Sequence, residues 1–86
     1  MIRDGIDISS DYMTAVYGGD VIATARFGKH AAADGNGAWV VSTHPARLFS
    51  YNDAITALTI AERLAAGYGD DDPFVKSWRG EIGVTA

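Results

Sequence analysis

Apolar positions along the chain first alternate and then recur every three or four residues, and this change of period separates strands from helices. Met13–Tyr17 (MTAVY) and Val21–Phe27 (VIATARF) are rich in β-branched and aromatic residues and predict two strands. Gly18-Gly19-Asp20 between them signals a tight turn. A three-residue loop puts Met13, Ala15 and Tyr17 on one side with Val21, Ala23, Ala25 and Phe27. Thr14, Val16, Ile22, Thr24 and Arg26 then share the other side. A two-residue loop would scatter the apolar set, so the three-residue loop is expected. Gly28–Gly37 (GKHAAADGNG) reads as the turn of a second hairpin, and Ala38–Thr43 as an interior strand. Pro45 interrupts it, having no amide to donate, and Arg47-Leu48-Phe49 forms a short fourth strand. Residues 1–11 show no sustained period and are expected to be a mobile arm, although Ile2, Ile6 and Ile8 at even positions could extend a strand.

From Ser50 the period becomes helical. Ser50 or Asn52 can cap the first turn, Asp53 suits the positive end of the dipole, and Gly67 suits a left-handed stop. Ala54, Ala57, Leu58, Ala61, Leu64 and Ala65 share one face. A stripe made mostly of alanine allows close approach to a sheet. Thr56, Thr59, Glu62 and Arg63 are assigned to the opposite side. Tyr68–Asp72 then forms an acidic linker (residues 68–72), and Asp72-Pro73 reads as a cap followed by proline at the first helical position. Phe74, Trp78 and Ile82 fall four residues apart, so a short second helix from Pro73 to about Ile82 would carry an aromatic stripe. The fold class is therefore α+β: one domain spanning 1–86, a three- or four-stranded antiparallel sheet packed against one main helix, and a short C-terminal helix.

Composition narrows the function. Apolar residues make up 48% and charged residues 21% of the chain, the balance of a folded domain. With 86 residues and no cysteine, stability has to come from packing, supplemented by self-association as a homodimer. No stretch approaches the roughly 18 consecutive apolar residues of a membrane span. The start of the chain is acidic and lacks the order of a signal peptide, so a cytoplasmic protein, of a bacterium or of a host cell, is expected with no membrane partner. Net charge is −4 and unevenly spread: residues 21–50 are mildly basic between two acidic flanks. That sign disfavours non-specific DNA binding.

Candidate chemistry is sparse. His30 and His44 would need a third metal ligand and have no HExxH spacing, so both read as solvated loop residues. Asp34-Gly35-Asn36-Gly37 begins like a calcium loop, but Pro45 stands where its last glutamate belongs, and Asn-Gly before a strand signals a hairpin turn. Asp70-Asp71-Asp72 reads as a solubilising linker that caps the next helix rather than a cation site. No serine has a nucleophile-elbow context, and the glycines match neither a phosphate loop nor a dinucleotide fingerprint. No catalytic, cofactor or metal residue is assigned, and a non-enzymatic protein is expected. Arg26, Lys29 and Arg47 are the candidate nucleic-acid contacts, with Trp39 between Ala38 and Val40 read as core. Phe74, Trp78 and Ile82 are the candidate anchors for a protein partner.

With these elements placed, GAWVVSTHPARLFSYNDAITALTIAERLAAG is similar in two directions. A Trp-bearing strand, a return strand and an Ala-rich helix resemble the sheet-plus-helix DNA-binding domains of integrase arm-type and AP2-like proteins, through Trp39, Phe49, Ala54 and Leu58. That resemblance implies DNA contact from the sheet, but those domains carry several basic residues there and this chain offers Arg26, Lys29 and Arg47. Five arginines against two lysines, with abundant alanine, glycine and aspartate, also resemble small uncharacterised proteins of actinobacteria and their phages. That likeness implies an accessory role, phage-encoded or bacterial. The leading expectation is an accessory or regulatory protein that binds another protein. A DNA-binding module using the sheet is the alternative, and an acidic DNA mimic is a third.

Overall fold

The computed structural model describes residues 4–28 and 38–84 and shows an α+β fold. Five antiparallel strands run β1 (Gly5–Ile8), β2 (Tyr12–Tyr17), β3 (Asp20–Phe27), β4 (Trp39–Val41) and β5 (Leu48–Phe49), and they lie side by side in chain order. Helices α1 (Tyr51–Ala65) and α2 (Pro73–Glu81) follow.

The sheet has one strand more than expected, because residues 5–8 of the supposed arm pair with β2. The pairing sets Ile6 opposite Ala15 and Ile8 opposite Met13; Ile6 packs against the core, while Ile8 at the strand end stays exposed. Asp4 fastens this edge: its Oδ1 accepts from the Gly19 amide at 3.1 Å.

The first hairpin corrects the expected loop. Gly18 and Gly19 have φ of 64° and 84°, the left-handed pair a type I′ turn requires, and Tyr17 faces Asp20 across a two-residue loop. The apolar set is rescued by a bulge. Val16 faces Val21 while Ala15 faces Ala23, which leaves Ile22 as an extra residue on β3. Met13, Ala15, Ala23 and Ala25 thereby share the core face as the pattern required, while Tyr17 and Val21 near the turn and Phe27 at the far end of β3 are exposed.

Met13, Ala15, Ala23, Ala25, Trp39, Val41 and Phe49 form the inner face of the sheet, and α1 packs across it with Ala54, Ala57 and Leu58. Half of these ten residues are alanines, three on the sheet and two on the helix. Trp39 is buried and meets the rings of Phe27 and Tyr51 edge-on at 5.7 and 5.9 Å. Of the side chains that alternation sends to the other face, Thr14, Thr24, Arg26 and Val40 are half-buried or exposed, whereas Val16, beside the bulge, is buried against that expectation.

α1 is wider in contact than its alanine stripe. Ile60 is buried and Ala61 half-buried, whereas Ala65 is exposed. The reason is α2, which packs beside α1 and covers a second flank. In α2 the buried residues are Val75 and, at the cap, Ile82, while Phe74 is exposed and Trp78 half-buried. Of the expected Phe74–Trp78–Ile82 stripe, only Ile82 is fully enclosed. Val75 and Ile82, seven residues apart, are the pair that turns inward.

Both helices start and stop as their punctuation dictates. Ser50 caps α1 by accepting from the Asp53 amide at 3.1 Å. At its end the Gly67 amide donates to Leu64 and the Tyr68 amide to Arg63, the double closure permitted by Gly67 at φ 104°. α2 repeats it, with Gly83 donating to Gly80 and Val84 to Arg79.

Candidate protein-binding face at the α1–α2 junction

The junction is organised by Arg63. Because Tyr68 follows the terminating glycine, the closure that bonds its amide to the Arg63 carbonyl also lays its ring on the Arg63 side chain, 3.8 Å from the guanidinium carbon. Phe74 approaches the same guanidinium at 4.7 Å and Trp78 at 5.8 Å. Phe74 and Trp78 lie 5.7 Å apart, ring to ring. On its polar edge Arg63 donates from Nε and Nη2 to Asp72, at 2.7 and 3.1 Å.

Asp72 works on two sides at once. Its Oδ2 also accepts from the amides of Phe74 and Val75, both at 3.1 Å, capping α2 behind Pro73. The Arg63 hydrogen bonds hold its carboxyl below the usual carboxylate range against opposing desolvation, and the Val75 and Phe74 amides add to the effect. Arg63 is raised in turn, chiefly by the same bond to Asp72. Nearby, Asp70 pairs with Arg79 at 2.9 Å. The acidic linker is thus a charge-paired turn.

Beside this stack lies an open cleft of about 430 Å³. The start of β1, Tyr17 at the end of β2, the last turns of α1, Tyr68 and Trp78 enclose it. Phe74, on the outer side, is 56% exposed, the highest among the large apolar side chains of the described residues.

The two expected contact sets fare differently. Phe74 and Trp78 come together as one aromatic surface, whereas Ile82 lies beneath it in the core. Arg26 sits next to the last residue of β3, exposed and opposite Tyr12 and Val40. Arg47 turns away: Nη1 and Nη2 donate to the carbonyls of Gly83 and Ile82 at 2.8 and 2.7 Å, and the guanidinium lies 5.2 Å from the Phe49 ring. It closes the C-terminal end of α2, where the dipole favours a cation. Lys29, His30 and the Asp34–Gly37 turn lie outside the described residues. His44 is half-buried, its Nδ1 2.9 Å from Thr43 Oγ1 and its ring 5.8 Å from that of Phe49. Among the described residues no three of His, Asp and Glu gather as a metal-ligand set, and no helix is long and apolar enough to cross a membrane.

Sequence reasoning missed Arg63, Tyr68 and Tyr17. A signal for the first two existed: a glycine at the helix end predicts contact between the residue after it and the one five positions earlier. No family model, curated protein or solved structure matches the chain.

Proposed function

We propose that the protein is a non-enzymatic accessory or regulatory protein that binds another protein through the α1–α2 junction, with Phe74 as its anchor. The carrying observation is an exposed aromatic held in place. Phe74 is 56% exposed, yet its position is set by the cap at its own amide, by the Arg63 stack and by Trp78 beside it. A side chain already ordered before binding loses little rotamer freedom on contact, and aromatic anchors dominate many interfaces.

The sheet-based DNA reading has less support. It draws on three cations, of which Arg47 is engaged with the end of α2 and Arg26 remains on the sheet among the described residues. An accessory role also fits a chain of this size with no assigned catalytic group.

Affinity capture from a lysate of the encoding cell, with wild-type protein and Phe74→Ala in parallel, tests the reading. A protein retained by the wild type and lost with Phe74→Ala, while thermal unfolding stays unchanged, is the expected result. Retention unaffected by Phe74→Ala moves the interface elsewhere and overturns it.

A further inference from the structure

The cleft beside the Arg63 stack is walled by two kinds of group that suit one kind of ligand. Tyr17, Tyr68 and Trp78 bring aromatic surface from three separate segments, and Asp4 and Glu62 bring carboxylates. Its volume, about 430 Å³, falls inside the roughly 300–1,000 Å³ of ordinary ligand sites. Aromatic faces attract cations, and a carboxylate beside them completes a cation site. Arg63 is the one cation on this wall, and its charge is already matched by Asp72. The ion pairs of the described residues, Arg63–Asp72 and Arg79–Asp70, leave Glu62 outside them. Asp4 and Glu62 therefore give the cleft a negative balance.

The same wall displays the chemistry on a residue of the chain itself. Arg63 is held by a carboxylate on its edge and by rings on its faces. We propose that the cleft receives an arginine side chain from a segment of a protein partner, its guanidinium stacked on the aromatic wall and donating to Glu62. Arginine fits better than lysine because the planar guanidinium is weakly hydrated, stacks on rings and grips a carboxylate with two donors. The net charge of −4 draws a basic segment toward the surface. This inference deepens the protein-binding reading above and rests on it.

The test uses the full chain and a fluorescein-labelled peptide of alternating glycine and arginine, read by anisotropy and by the indole N–H signals of Trp78 and Trp39. The peptide should bind and shift Trp78 while leaving Trp39 in place. Replacing its arginines by neutral, isosteric citrulline should weaken binding about tenfold or more, as should Glu62→Gln, because each removes a charge-assisted bond. Asp71→Asn, at an exposed carboxylate away from the cleft, should change affinity less than about twofold. Equal losses from Glu62→Gln and Asp71→Asn would reveal diffuse charge attraction and overturn the proposal, as would no binding at all. Phe74→Ala separates the two readings. A Phe74-dependent partner with no arginine-peptide binding removes the cleft's ligand and leaves the protein-binding reading standing. Peptide binding at the cleft with capture indifferent to Phe74→Ala does the reverse.

Discussion

The α1–sheet seam and the α1–α2 junction join the same helix to its neighbours by opposite means. Across the seam Ala54, Ala57 and Leu58 meet Ala15, Ala23 and Ala25, with no buried polar or charged residue among those described. At the junction a guanidinium, a carboxylate and three aromatic rings share one cluster that water reaches. Apolar burial is non-directional and scales with area, so the seam is governed by volume. Charge-assisted bonds are directional and screened by solvent, so the junction is governed by geometry. The helix is thus fixed to the sheet by close packing, and its outer flank is left to present an ordered polar-aromatic surface.

A change of volume should break the seam. Ala54 is fully enclosed in the core between helix and sheet, so a leucine there has to displace its neighbours. Ala54→Leu should cost about 1–3 kcal/mol, the usual range for overpacking. Urea unfolding followed by circular dichroism measures it, and a midpoint equal to wild type would mean that α1 does not lie tightly on the sheet. In a domain of this size each kcal/mol moves the melting midpoint by roughly 4–8 °C, so the effect is easily seen.

The same contrast explains what could be read in advance. Alternation in Met13–Tyr17 and Val21–Phe27, and the alanine stripe of α1, place the elements and their central core residues, although Tyr17, Val21, Phe27 and Ala65 at the element ends are exposed and Val16 is buried. Two-residue turn and bulge were missed together because each alone breaks the apolar register, and only their combination restores it. Ile60 and Val75 escaped notice because their burial depends on α1 and α2 lying side by side, a tertiary fact that neither helix's period contains. Ile6 and Ile8 looked like an arm since four residues are too few to establish alternation, and pairing with β2 decides them. The junction was least legible. Arg63 on a helix flank and Tyr68 in an acidic linker look like solvent groups until the glycine closure brings them together.

A smaller, local effect should follow from removing Asp72. Asp72→Ala loses the α2 cap and the partner of Arg63 at once, while the seam keeps all its contacts. Hydrogen exchange should therefore accelerate at the Phe74, Val75 and Lys76 amides and stay near wild type in α1. A uniform rise across both helices would show that the junction and the seam unfold as one unit, erasing the distinction. Arg63→Lys should act in the same direction more weakly, since lysine keeps the charge but loses the two-donor grip and the planar stack on Tyr68.

The finest test separates charge from capping by pH. Because Arg63 holds the Asp72 carboxyl below its ordinary range, the unfolded chain takes up that proton before the folded one does. In the interval between the two values the unfolded state binds more protons, so stability there rises with pH. The contribution is complete above the ordinary carboxylate value and is lost as pH falls through the lowered, folded one. Arg63 keeps its charge throughout, its own value being raised further by the pair. Asn at position 72 still offers a side-chain oxygen to the Phe74 and Val75 amides but carries no charge to titrate. Asp72→Asn should accordingly keep α2 protected near neutral pH while flattening the acid-side fall of the α2 amides relative to wild type. Added salt should narrow the gap between the two proteins by screening the exposed pair. Parallel acid profiles for both proteins would assign the fall to other carboxylates and leave Asp72 acting through its cap alone.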